Sequence, residues 1–354
     1  MIFSGSYDPD DVTLLLQPID MALTDVAEKE RLIQSGALHY SEILAPEHPP
    51  SADYMAIYEQ ALVANGQRMA DAVVSLAKGL AQQIDGDIVL VSLARAGLPV
   101  GVLLKRALIR MGRDCHHYGI SIIRDRGLDA VAMKHILARH PARSVVFVDG
   151  WTGKGAIAGE LTKAAPACGI PTPRLATLGD IGGFAWMAPT DEDWLIPSGI
   201  LGGVISGLVS RTLLNEAIKT NGGYHGCSTL DHLAGHDVSR DFVDKITALF
   251  DFSKPTCQPL GDRTRHLRRT RVDRTIAALR DKHGITNLNR IKPSLAEATR
   301  AVLRRRPHMV YVASTSSTDT APLMHLIRER DIPFVIAPDL IPGYRAVTII
   351  EKTS

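Results

Sequence analysis

Val145-Val-Phe-Val-Asp149-Gly-Trp-Thr-Gly-Lys-Gly155-Ala156 is the stretch whose reading decides the fold. Four apolar residues of strand type end on one carboxylate, a loop of small residues follows, and a helix runs on to residue 165. A short unbroken apolar run fits a strand buried on both faces, and a helix directly after it returns the chain for a parallel neighbour. Val91-Ser-Leu-Ala-Arg95-Ala-Gly97-Leu-Pro99 repeats the form, following the run 88–92 and preceding a helix over 99–111. A third run covers 174–178. Strand, glycine turn and helix, repeated, predict an α/β fold with a parallel sheet. Ligands of such sheets sit beyond the carboxyl ends of the strands, where both turns fall.

The two turns carry different chemistry. In the first, the backbone N–H groups of Gly150, Trp151, Thr152, Gly153, Lys154, Gly155 and Ala156 lead into a helix N-terminus and suit a phosphate dianion. Asp149 stands at the strand end, suited to hydrogen bonds from vicinal hydroxyls. Phosphate plus diol describes the ribose 5-phosphate end of a ligand. A Walker A loop is excluded, since its first glycine and final Ser/Thr are missing. In the second turn Arg95 replaces the acid, and with Ala94, Ala96 and Gly97 it suits a more highly charged anion such as pyrophosphate. The competing reading of each turn is a plain strand–helix connection.

Outward from these turns, residues 1–50 are irregular apart from a helix-like stretch at 25–34, and 53–84 read as one long amphipathic helix. Residues 251–270 shift to Pro, Gly and Arg. Helices are expected at 272–283, 294–305 and 320–330, and short strands at 309–312 and 334–336. Ser294 and Glu297 form a capping-box arrangement. The domains predicted are 1–255, a linker at 256–270, and a smaller α/β unit at 271–354, which agrees with 354 residues in total. Net charge is +2, yet residues 263–306 hold 14 Lys/Arg against Asp273, Asp281 and Glu297, so this run carries +11 and the rest −9. An acidic body joined to a basic module points to an anionic partner, most directly nucleic acid, with a solvated helical face as the alternative. The uncharged stretch 195–210 is too short for a membrane span and is broken by Pro197 and several glycines. Four scattered cysteines make no disulfide framework, and the acidic start is unlike a signal peptide, so a cytoplasmic, reducing compartment is expected.

Asn221-Gly-Gly-Tyr-His225-Gly-Cys227-Ser-Thr-Leu-Asp231-His232 places a thiol near two imidazoles and a carboxylate. A thiolate nucleophile needs an imidazole that lowers its pKa and shuttles the proton. Cys227 is therefore the alternative nucleophile of a cysteine-dependent hydrolase. A glycine-rich loop lining an acceptor pocket, or a structural turn, explains the same residues.

Residues 89–108 resemble the pyrophosphate loop of type I phosphoribosyltransferases, and 145–156 resemble their phosphoribosyl-pyrophosphate (PRPP) signature. Gly5-Ser-Tyr, 28–36, His39-Tyr-Ser-Glu42, 121–126 and 197–201 are more closely similar to a bacterial subfamily found beside tellurium-resistance and stress genes. Some of its members carry the label StiP-type cysteine protease. Asn289-Arg-Ile-Lys292, 297–300 and 304–306 resemble a Pelota-like RNA-binding domain of the L7Ae/L30e fold. The resemblance implies a phosphoribosyltransferase that transfers ribose 5-phosphate from PRPP to a nitrogenous acceptor, with Mg2+ carried on the pyrophosphate. It assigns Asp149 to the ribose hydroxyls, 152–156 to the 5-phosphate, Arg95 to pyrophosphate, and Arg124 and Arg126 to a mobile loop. Residues 1–50 and 180–230 then form the acceptor hood. Lys292, Glu297, Thr299, Arg300 and Arg304 are assigned to RNA, and a homodimer is allowed. The chain departs from the pattern at Gly150, where a second acid is common, at Ala156, where Ser/Thr closes the loop, and at Ala296, where Asn precedes Glu. A third reading keeps the fold as an inactive nucleotide sensor that binds RNA.

Overall fold

The apolar runs pair side by side in the computed structural model, which describes residues 3–352. In chain order the body holds β1 (Thr13–Leu14), β2 (Gln17–Pro18), α1 (Val26–Gln34), α2 (Ala52–Gln83), β3 (Ile88–Leu93), α3 (Gly97–Arg110) and β4 (Cys115–Ile120). It continues through the short pair β5 (Ile122–Ile123) and β6 (Gly127–Leu128), then α4 (Ala130–Leu137), β7 (Val145–Thr152), α5 (Ala156–Ala164) and β8 (Leu175–Asp180). α6 (Glu216–Asn221), β9 (Gly226–Cys227) and α7 (Ser239–Ala248) close it. The central sheet is parallel throughout, in the order β1-β4-β3-β7-β8. Every residue of β3 and β8 is buried, as helices on both faces require. Gly97 sits directly against the Val148 carbonyl of β7, so the turn after β3 approaches its neighbour more closely than any side chain allows.

The C-terminal unit runs α8 (Asp262–His283), β10 (Ile291–Pro293), α9 (Leu295–Arg304), β11 (Pro307–Val312), α10 (Ala321–Glu329), β12 (Phe334–Ile336) and β13 (Ala346–Ile350). Its sheet is mixed, β10-β13-β11-β12, with β11 and β12 parallel and the other pairs antiparallel. The stretch expected as a linker is helical from Asp262 onward. At α9, Ser294 accepts the Glu297 N–H at 3.4 Å, while the Glu297 carboxylate turns to Lys292 at 3.6 Å.

The two units share a core. Leu295, Val302 and Leu326 of the C-terminal unit lie in one buried apolar cluster with Tyr54, Tyr58 and Ile200 of the body. Asp193 of the body accepts the Leu295 N–H at 2.9 Å and the Arg345 N–H at 2.7 Å, so a body carboxylate caps α9. Among the described residues, no helix is long and apolar enough to cross a membrane.

Candidate functional site

The glycine turn after β7 lies beneath the C-terminal unit. Asp149 accepts the Gly150 N–H at 2.8 Å, and burial raises its pKa to about 6. Thr152 donates to Asp180 at 2.5 Å and accepts from the Gly182 N–H at 3.1 Å, so its hydroxyl is bound within the body. Lys154 donates to the Leu288 and Ile291 carbonyls at 2.5 and 2.6 Å. Burial, with Lys292 adding, pushes its pKa down to about 7. The Gly153 carbonyl accepts from the Tyr344 hydroxyl at 3.4 Å, and a side chain there would press on Glu297 and Pro293. Gly155 takes a left-handed φ of 81° just before α5 opens at Ala156. The side chains meant for a phosphate thus have protein partners.

The residues expected to meet RNA face the same junction. Arg300 lies over the Trp151 ring at 4.8 Å and donates to the Gly199 and Ser198 carbonyls at 3.0 and 3.3 Å. Burial, then Arg304 and Arg95, lower its pKa to about 9. Thr299 is fully buried and donates to the Leu295 carbonyl at 2.7 Å. Lys292 pairs with Glu297, and Arg304 lines a cavity between the units.

Arg95, after β3, donates to the Val209 carbonyl at 2.8 Å and to Glu47 at 2.5 Å. Ala94, Ala96 and Gly97 complete its turn. Arg124 lies over the Tyr40 ring at 5.0 Å, and Arg126 pairs with Glu42 at 2.8 Å, so both loop arginines are held by the 39–42 segment.

Cys227 occupies β9, which pairs with β2 through Pro18. Its thiol is fully buried, and burial pushes its pKa up to about 12. His225, two residues earlier, has Nδ1 at 2.8 Å from the Ser121 hydroxyl, and its backbone N–H donates to Asp129 at 2.6 Å. Burial lowers the imidazole's pKa and Asp129 opposes this. Ser228, Thr229 and His232, just beyond the thiol, help line a cavity of about 150 Å3. Cys115 and Cys257 are buried, with pKa values pushed up to about 12 and about 11, and Cys168 is partly buried on a tight turn. Sequence reading found Cys227 and His225 but gave no role to Ser121, Asp129 and Glu47, which lie far off in the chain, although Ser121 opens the 121–126 stretch that carries the resemblance.

Residues 5–247 match the family described as "Tellurite-like stress resistance cysteine protease StiP". The chain belongs to the StiP family. Residues 270–352 match the PELOTA RNA binding domain. "Cysteine protease StiP" of Acinetobacter baylyi (strain ATCC 33305 / BD413 / ADP1) is 44% identical over 363 residues, covering 99% of this chain and 94% of its own. This kinship overturns the main sequence reading: a near full-length relative is named as a cysteine protease, so the expectation of a PRPP-dependent phosphoribosyltransferase is withdrawn. The strand–acid–glycine loop that suggested it is a local form which a parallel α/β sheet offers to many chemistries. For the Mg2+ expected with pyrophosphate, the described residues hold no group of three or more His, Cys, Asp or Glu placed for a metal, and Asp149 is followed in sequence by Gly150 rather than by a second acid. No step is therefore routed through a metal in this StiP-family chain.

Proposed function

We propose that the chain is a cysteine-dependent hydrolase with Cys227 as nucleophile and His225 as its base, and that its C-terminal domain binds RNA. The observation that carries the reading is the held imidazole: Ser121 engages Nδ1 at 2.8 Å, leaving Nε2 for proton transfer, two residues from a thiol. The family name and the protease name of the relative support the class, and the Pelota match supports RNA.

In such a hydrolase the thiolate attacks a carbonyl carbon and the imidazolium returns the proton to the leaving amine. Water then releases the acyl group. His225 takes the Cys227 proton and later delivers it, Ser121 fixes the ring, and the Asp129 carboxylate favours the charged imidazole. On this reading the thiol described above is a resting one, since among the described residues no imidazole bonds to it and burial disfavours the thiolate. Positions two apart on a strand share a face about 7 Å apart, so β9 must shift to bring thiol and imidazole together. That shift must break or carry along the backbone bonds that hold β9, from Ile19 to the Cys227 carbonyl at 2.8 Å and between Gly226 and Leu213 at 2.9 and 2.8 Å.

Alanine at each cysteine in turn, assayed on an unfolded protein substrate, tests this. Cys227→Ala should abolish turnover and Cys115→Ala, Cys168→Ala and Cys257→Ala should retain it. His225→Gln should lower kcat by roughly a hundredfold or more. Full turnover by Cys227→Ala overturns the assignment.

A further inference from the structure

A cavity of about 300 Å3 lies where the two units meet, separate from the Cys227 thiol. Lys29, Glu47, Arg95 and Arg211 reach it from the body, and Arg304 from α9. Five cations and two carboxylates line it, since the exposed Glu329 and Arg330 also reach it, and Glu47 is already committed. One Glu47 oxygen accepts from Arg95 at 2.5 Å and the other from the Gly203 N–H at 3.1 Å.

Among the described residues the remaining cations have no carboxylate within ion-pair distance, although Glu47 acts on Arg211 and Arg304 from farther off. Arg211 donates to the Ile43 carbonyl and stands 5.5 Å over the Tyr40 ring, yet its Nη1 has no partner among the described residues. Arg304 Nη2 and Arg95 Nε are buried and equally unpartnered. Lys29 is only 8% exposed and its neighbour Glu30 is taken by Arg305 at 2.7 Å. Burial, then Arg211, lower the Lys29 pKa to about 8. Burial lowers those of Arg211 and Arg304 to about 10, with Arg95 adding in both. Uncompensated buried charge is costly, and a bound anion of more than one charge removes the cost.

We propose that this cavity binds a phosphorylated small molecule, its phosphate held by Lys29, Arg95, Arg211 and Arg304. Guanidinium forks arriving from three separate segments suit a tetrahedral oxyanion with several acceptor oxygens better than a single planar carboxylate. The cavity has the size of a small-molecule site, and Leu201 and Leu326 give it apolar wall for the rest of the ligand. Because Arg304 comes from α9 and the other three cations from the body, the ligand fastens one unit to the other. The proposal concerns binding alone and is independent of the hydrolase reading.

The test is calorimetric titration of the full chain with pyrophosphate, with citrate as a carboxylate comparison at the same ionic strength. Saturable pyrophosphate binding is expected, with citrate weaker. Arg211→Gln, Arg304→Gln and Lys29→Gln should each weaken it roughly 10- to 100-fold, the loss of one charge-assisted hydrogen bond. Arg263→Gln, at an exposed position of α8, should leave it unchanged. Should an arginine variant fail to fold, Lys29→Gln decides. No saturable pyrophosphate binding, equal affinity in every folded cavity variant, or citrate binding as tightly overturns the proposal. So does a cavity that takes no pyrophosphate while Arg304→Gln abolishes RNA retention, which makes it part of an RNA surface.

Discussion

Lys154 shows how a residue chosen for one role is used for another. Its small-residue loop looked ready for a phosphate, yet its ammonium donates to two carbonyls of the C-terminal unit. Burial lowers its pKa to about 7, below its value in an unfolded chain. Between about 7 and the ordinary lysine value the unfolded chain binds more protons than the native one, so this group makes stability rise with pH across that window. Urea unfolding at pH 7 and 9.5 should show a rise in wild type that is smaller in Lys154→Met. An identical rise in the two proteins counts against a buried, depressed Lys154. Arg95 was legible from sequence because its turn repeats the form of another. Glu47, which neutralises it, was not, since it lies 48 positions away in irregular chain that carries no pattern.

At the level of elements the apolar runs read true, because a strand buried on both faces has no other way to look. β3, β7 and β8 stand where the runs at 88–92, 144–148 and 174–178 were noted. α8 was read short because Arg-rich sequence after Pro and Gly resembles a linker. Arginine is a good helix former, and Arg268, Arg269 and Arg271 find acceptors in Asp180, Gly183 and Ile181. Phe334, in a strand read correctly from sequence, is nonetheless 41% exposed, because β12 is the outer strand of its sheet. Asp193 is the element-level contact that alternation of apolar runs cannot reveal: it joins α9 and Arg345 to the body across more than 100 positions. Asp193→Ala leaves those buried N–H groups without an acceptor and should cost roughly 1–3 kcal/mol in urea unfolding. It should also speed proteolysis within 253–261, ahead of α8. Unchanged stability and cleavage would mean that the apolar cluster alone holds the units together.

Across the whole molecule, the charge asymmetry has two uses. Part of the +11 run is spent internally: Arg268 pairs with Asp180 at 3.3 Å, Arg305 with Glu30, and Arg300 is stacked on Trp151. The acidic body and basic module are thus partly each other's counter-charge, which composition alone could not distinguish from an RNA footprint. The Pelota match supports the proposal that RNA is a partner, and on that proposal the cations free to meet phosphates are those still exposed. Arg263 and Arg274 are exposed and lie 11 positions apart, close to three full turns, so they share one face of α8. Reversing both, Arg263→Glu with Arg274→Glu, should weaken retention of structured RNA by the full chain and flatten the slope of log affinity against log salt by about 2. Arg300→Ala should change that slope little, because its guanidinium is occupied at the junction. The measurement is affinity across a salt series for the three proteins. If Arg300→Ala flattens the slope and the double reversal does not, RNA reaches α9, and the C-terminal unit must leave the body to bind it.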